Sequence, residues 1–132
     1  MIVLDTHALV WWIGGDASRL SKAAKQAIDG ALAADGVVAS SISAWEIAML
    51  VSKGRLNLAM DVERWLGLAG GIEGFRFVPV DNLIAVRSVT LPGEFHADPA
   101  DRMIVALARE LAVPLVTADS KIALYPHVKS IW

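Results

Sequence analysis

Met1-Ile-Val-Leu-Asp-Thr-His-Ala-Leu-Val-Trp-Trp12 decides the fold. Ile2-Val3-Leu4 is a short run of apolar, largely β-branched residues. It stops at an aspartate, and a helical pattern through Ala8 to Ile13 takes over at once. A strand that is apolar at every position belongs inside a sheet covered on both faces. An acid at its carboxyl end is either a helix cap or a ligand at the mouth of the sheet.

The same alternation continues along the chain. Ser21 is placed to cap a helix over Lys22 to Ala34, closed by Gly36, and Val37-Val38-Ala39 reads as a second buried strand. A helix over Ile42 to Ser52 ends at Lys53-Gly54, and Asp61 caps another through Leu68. Phe75 to Val78 reads as a strand, and Asp81 opens a helix to about Val89. Asp98-Pro99 starts a helix to Ala112. Leu115 to Thr117 and Val128 to Ile131 are strands, with a short helix over Ser120 to Leu124 between them. Short apolar strands separated by helices predict an α/β, doubly wound fold with a parallel sheet. In such sheets the functional crevice lies beyond the carboxyl ends of the strands.

The 132 residues suit one domain, 1–132, and 55% hydrophobic against 20% charged residues is too apolar for a disordered chain. Charge-free stretches such as Thr6 to Gly15 reach 10 residues, short of the roughly 18–20 that cross a bilayer. No membrane partner is expected. The amino-terminal residues carry no basic start and no cleavable apolar run, so a cytoplasmic location is expected. The absence of cysteine excludes disulfides, thiolate metal sites and a cysteine nucleophile. Twelve Lys and Arg against fourteen Asp and Glu give a net charge of −2. Contact with a nucleic acid would therefore rest on local basic residues or a bound cation rather than on overall charge.

The placement of the acids then matters. Asp5 ends the first strand, with Thr6 and His7 beside it. Glu46 has Ile42, Trp45, Met49 and Leu50 as helical neighbours and so is expected inside an apolar stripe. An unpaired carboxylate there costs several kcal/mol unless a cation meets it. Lys53, about 10 Å along the helix axis, is a poor partner. Asp101 aligns with Ile104, Ala108 and Leu111 on a buried face although Asp98 already fills the capping position. Asp119 follows the Leu115 to Thr117 strand as a second strand-end acid, and is equally a cap for the next helix. His96 reads as a loop side chain within reach of the crevice. Several anions share one site only with protonation or a cation. An oxygen-only donor set favours Mg²⁺ or Mn²⁺.

Four segments in order, 1–12, 43–56, 96–102 and 115–120, make the chain resemble PIN-domain proteins, specifically the VapC-like toxin ribonucleases of prokaryotic toxin–antitoxin pairs. The resemblance covers nearly the whole chain. It implies a three-layer α/β/α fold with parallel strand order 3-2-1-4-5 and puts the family's metal-site acids at Asp5, Glu46, Asp101 and Asp119. It implies Mg²⁺- or Mn²⁺-dependent cleavage of RNA, a cognate antitoxin and a homodimer. Thr6, Ser41 and Thr117 are expected as hydroxyls supporting the acids. Lys53, Arg55 and Arg102 are candidate RNA contacts, and Trp11 and Trp12 candidate stacking surfaces. Two rival readings remain: a phosphoaspartate domain of receiver or phosphohydrolase type, and a non-catalytic binding module. The first needs a lysine near the phosphoryl group, and Lys121 is poorly placed for it.

Overall fold

The computed structural model describes every residue from Met1 to Trp132. Five strands, β1 (Ile2–Leu4), β2 (Val37–Ser40), β3 (Phe75–Val78), β4 (Leu115–Val116) and β5 (Ser130–Ile131), form one sheet. Its order is β3-β2-β1-β4-β5, and every neighbouring pair is parallel. Seven helices connect them: α1 (Thr6–Ile13), α2 (Lys22–Leu32), α3 (Ser41–Ser52), α4 (Val62–Gly70), α5 (Asn82–Val89), α6 (Pro99–Leu111) and α7 (Ser120–Ala123).

The period-two alternation of a strand sorts its side chains into two cores. Ile2 and Leu4 point to one face with Val37, Ala39 and Val116, where Leu9, Ile28, Ile47 and Trp65 cover them. Val3 points to the other with Val38 and Leu115, under Ile84, Ile104, Val105 and Ile122. The register preserves the division, because Leu4 pairs with Ala39 and Val116 while Val3 pairs with Val38 and Leu115. Helices on both faces of a parallel sheet give the expected three-layer α/β/α architecture.

Continuing the register by one residue sets Asp5 level with Ser40 on one side and Thr117 on the other. All three are buried. The strands end there because their next residues start helices or turns. Asp5, Ser40 and Asp119 are the N-caps of α1, α3 and α7.

Several boundaries differ from expectation by a residue or two, and three have a clear local cause. Helix α2 stops at Leu32, since the Gly36 N–H returns to the Ala31 carbonyl at 2.7 Å. Gly36 itself, at φ +102, lets the chain pass the Gly74 carbonyl, which a Cβ would approach to 3.1 Å. Strand β5 is two residues rather than four, because Pro126 to Val128 turn and bend the chain before it can pair with β4. Helix α6 ends at Leu111, with Ala112 left-handed at φ 54, ψ 44. An exposed alanine there carries strain that glycine avoids. Ala112→Gly is expected to stabilise the protein by about 0.5–1 kcal/mol, read as a higher denaturant midpoint at unchanged slope.

Candidate active site

A cavity of about 510 Å³ opens beyond the carboxyl ends of β1 and β4. Its walls hold five carboxylates, Asp5, Glu46, Asp98, Asp101 and Asp119, together with Thr6, His7, Trp11 and Arg19. Sequence positions 5 to 119 meet in one hollow. The acids come from two strand ends, the exposed edge of α3 and the first turn of α6.

Asp5 is held most firmly. Its Oδ1 accepts from the Ala8 amide at 2.9 Å, capping α1, and its Oδ2 accepts from the Thr117 hydroxyl at 2.5 Å. The Asp119 amide donates to the Thr117 oxygen at 3.0 Å, and Asp119 Oδ1 caps α7 through the Lys121 amide. One buried hydroxyl therefore couples the two strand-end acids. Burial pushes the Asp5 carboxyl up to about 6, against the pull of Thr117, Ala8 and His7, and the Asp101 charge adds to the rise.

Glu46 departs from expectation in its surroundings. The buried face of α3 runs through Ser43 and Ile47, which leaves Trp45 57% exposed and Glu46 half-buried at the cavity edge. Helix α3 is apolar on most sides, so periodicity alone misassigned its inner face. Partial burial still raises the Glu46 carboxyl, and the charges of Asp101 and Asp98 raise it further. Thr6 pulls it the other way. Asp101 is half-buried and likewise raised, by burial first and then by Asp98 and Asp119, while His96 opposes the shift. His96 Nε2 lies 2.7 Å from Asp101 Oδ2. Asp98 caps α6 by accepting from the Asp101 amide.

Among the supporting hydroxyls, Thr6 and Thr117 stand against the acids. Ser41 does not line the cavity, and neither does Ser43, which is buried behind it with its hydroxyl 2.9 Å from that of Thr6. Two residues apart on one helix, the serines point in different directions: Ser43 turns inward to Thr6 of α1, and Ser41 is only partly buried. Arg102 is also redirected. Its guanidinium donates to the carbonyls of Ser88 (2.7 Å), Phe95 (2.9 Å) and His96 (3.1 Å), tying the α5–α6 loop to α6 instead of facing the cavity. Lys53 and Arg55 are exposed just past the end of α3, outside the cavity lining. Trp12 packs edge-on against Phe75 in a core, whereas Trp11 stays on the cavity wall, 5.7 Å from the His7 ring.

Arg19 escaped the sequence reading. It lies in a single 3₁₀ turn, Ala17–Arg19, with no periodicity to mark it. Its guanidinium sits 5.7 Å over the Trp11 ring and 3.1 Å from Asp16, at the cavity rim.

The donor chemistry fits a hard divalent cation. Five carboxylates face one guanidinium, no sulfur is present, and three of the acids are raised by burial and mutual repulsion. An ion would relieve both costs. As placed, no three His, Asp or Glu side chains are gathered tightly enough to hold one ion. An ion shared by three of them would need side-chain rotations that draw the acids inward.

A family model described as PIN domain matches residues 2–128. The chain belongs to the PIN-domain family. This PIN domain is 37% identical over 130 residues to Ribonuclease VapC22 of Mycobacterium tuberculosis, covering 98% of the chain and 95% of that protein. It is similar in structure to VapBC2 from Rickettsia felis, solved bound to a DNA fragment from their promoter. There the TM-score is 0.71 at 18% identity, over 98% of this chain and 97% of that one. DNA-bound VapBC from Salmonella typhimurium gives 0.68 at 18% identity, over 98% and 95%. At those identities the two structures speak for the fold. No helix of the PIN domain is long and apolar enough to cross a membrane.

The raised Asp5 carboxyl makes stability depend on pH. Its folded value of about 6 exceeds the ordinary 3.8, so its contribution is complete below the lower value and is lost as pH rises through the upper. Ion-free protein is expected to lose about 3 kcal/mol of stability between acidic and neutral pH through this group. Thermal melts across that range should show the decline, and Asp5→Asn, which keeps the cap, should flatten it.

Proposed function

We propose that this PIN domain, acting as a single unit over residues 1–132, is a Mg²⁺- or Mn²⁺-dependent endoribonuclease and the toxin of a toxin–antitoxin pair. The observation that carries the reading is the convergence of Asp5, Glu46, Asp101 and Asp119 on one cavity at the sheet's carboxyl end. The 37% identity to a protein named a ribonuclease supports the activity. Similarity to VapBC complexes and to a toxin–antitoxin complex from Klebsiella pneumoniae supports an antitoxin partner.

Asp5, Glu46 and Asp101 would hold the ion. Bound there, it would supply charge neutralisation at the phosphate and a lowered pKa for an attacking water. Asp119, beside Asp5 through Thr117, would hold the ion through water or orient the nucleophile, whose oxygen joins phosphorus as the bond to the leaving oxygen breaks and that oxygen takes up a proton. Thr117 keeps Asp5 turned toward the site, and the Thr6–Ser43 hydroxyl pair supports Glu46. Trp11 offers a stacking face and Arg19 a cation at the rim for the strand, with Lys53 and Arg55 further out. The rim cations supply the local positive charge that a chain of net charge −2 otherwise lacks.

Helix α5 exposes Leu83, Val86 and Val89, and α3 exposes Trp45. Such apolar surface on a small chain supports a homodimer and antitoxin docking. Both partners and the substrate are compatible with a cytoplasmic location.

Purified protein freed of antitoxin should cut RNA in Mg²⁺ or Mn²⁺ and stop when chelator is added. Asp5→Asn and Asp101→Asn, shown by melting curves to be folded, should each lower the cleavage rate by at least about 100-fold. Cleavage that survives chelation or either substitution overturns the metal-dependent reading.

A further inference from the structure

We propose that His96 is a positioning residue that sets the Asp101 carboxylate for ion binding. The inference rests on the metal-dependent reading of the site. It starts from a difference between the two acids. Both oxygens of Asp5 are engaged, by the Ala8 amide and the Thr117 hydroxyl. Asp101 has one side-chain partner, His96, whose Nε2 meets Oδ2 at 2.7 Å. Its other oxygen, Oδ1, is left for a ligand. A carboxylate anchored through one oxygen presents the second in a restricted direction, which is how supporting hydrogen bonds tune metal ligands.

His96 is itself held in place. Its ring packs on Phe95 at 4.3 Å between centroids, and Phe95 packs on Tyr125 at 4.8 Å. The Tyr125 hydroxyl donates to the Pro92 carbonyl at 2.5 Å, fixing the start of the α5–α6 loop. Arg102, one residue past Asp101, donates to the carbonyls of Phe95 and His96 and fixes its end. Thus the arginine that left the cavity serves it indirectly: it anchors the backbone from which His96 reaches Asp101. The contact needs a proton on Nε2 and nothing else of the ring, so orientation carries the role.

The test is Mn²⁺ binding to metal-free protein, followed by the electron paramagnetic resonance signal of free Mn²⁺. His96→Phe keeps the aromatic packing and removes the donor; it should weaken Mn²⁺ binding by about 10–100-fold. His96→Gln keeps an N–H of similar reach and should recover most of the loss. His96→Asn, polar but too short, should not, and this contrast serves even where the phenylalanine chain is less stable. Asp101→Asn should weaken binding as well, and adding His96→Phe to it should cost nothing more, since the two act as one unit. Unchanged Mn²⁺ affinity in His96→Phe, or independent losses in the double variant, overturns the role of His96 and leaves the metal site standing. A wild-type protein that takes up no Mn²⁺ brings down the metal reading itself, and the role of His96 with it.

Discussion

The Asp5 carboxylate, 7% exposed at the end of a strand that is buried on both faces, is the constraint around which the chain is arranged. Taking a carboxylate out of water costs several kcal/mol unless donors or a cation compensate. The fold supplies the donors from opposite ends of the sequence. The α1 amide at Ala8 is local, while Thr117 arrives because β4 lies beside β1 in parallel register. Shift that register by one residue and the hydroxyl would point to the other face. Strand pairing and the electrostatics of the site are therefore one problem with one solution.

The two cores meet the site from different sides. Ile47 anchors α3, and so Glu46, to the core under Ile2 and Leu4. Ile104 and Ala108 anchor α6, and so Asp101, to the core over Val3. The acids are separately mounted, which is why they can face one another across a cavity without a rigid contact between them. Hydrophobic packing sets where the carboxylates stand, and their mutual repulsion sets what can stand between them.

Much of the architecture was legible in the sequence because parallel sheets leave a simple trace. Ile2 to Leu4 and Val37 to Ala39 are apolar at every position, and the acids and serines that follow them are caps. The order of the strands came through the family resemblance, whereas the four acids stood out by their places at two strand ends and on two helices, and the resemblance assigned them to one metal site. Less legible was anything that depends on direction. Helix α3 is apolar nearly all round, so Ser41 and Ser43, two residues apart, could not be told apart by pattern. Arg102 looks like an exposed helix cation until the carbonyls of the preceding loop are seen to surround it. Arg19 reaches the cavity from an aperiodic turn, and only the packing of that turn on α1 brings it near Trp11. His96 was visible as a residue near the crevice, but its partner was set by the course of the loop.

One indole stands on the cavity wall. Trp11 is within 5.8 Å of Trp132 and under the Arg19 guanidinium, whereas Trp65 lies buried among the helices of its layer. Indole emission responds to nearby charge and polarity, so a charge entering the hollow changes the surroundings of Trp11 while the buried Trp65 keeps its own. With Trp12, Trp45 and Trp132 replaced, the chain would carry an optical gauge of its own occupancy.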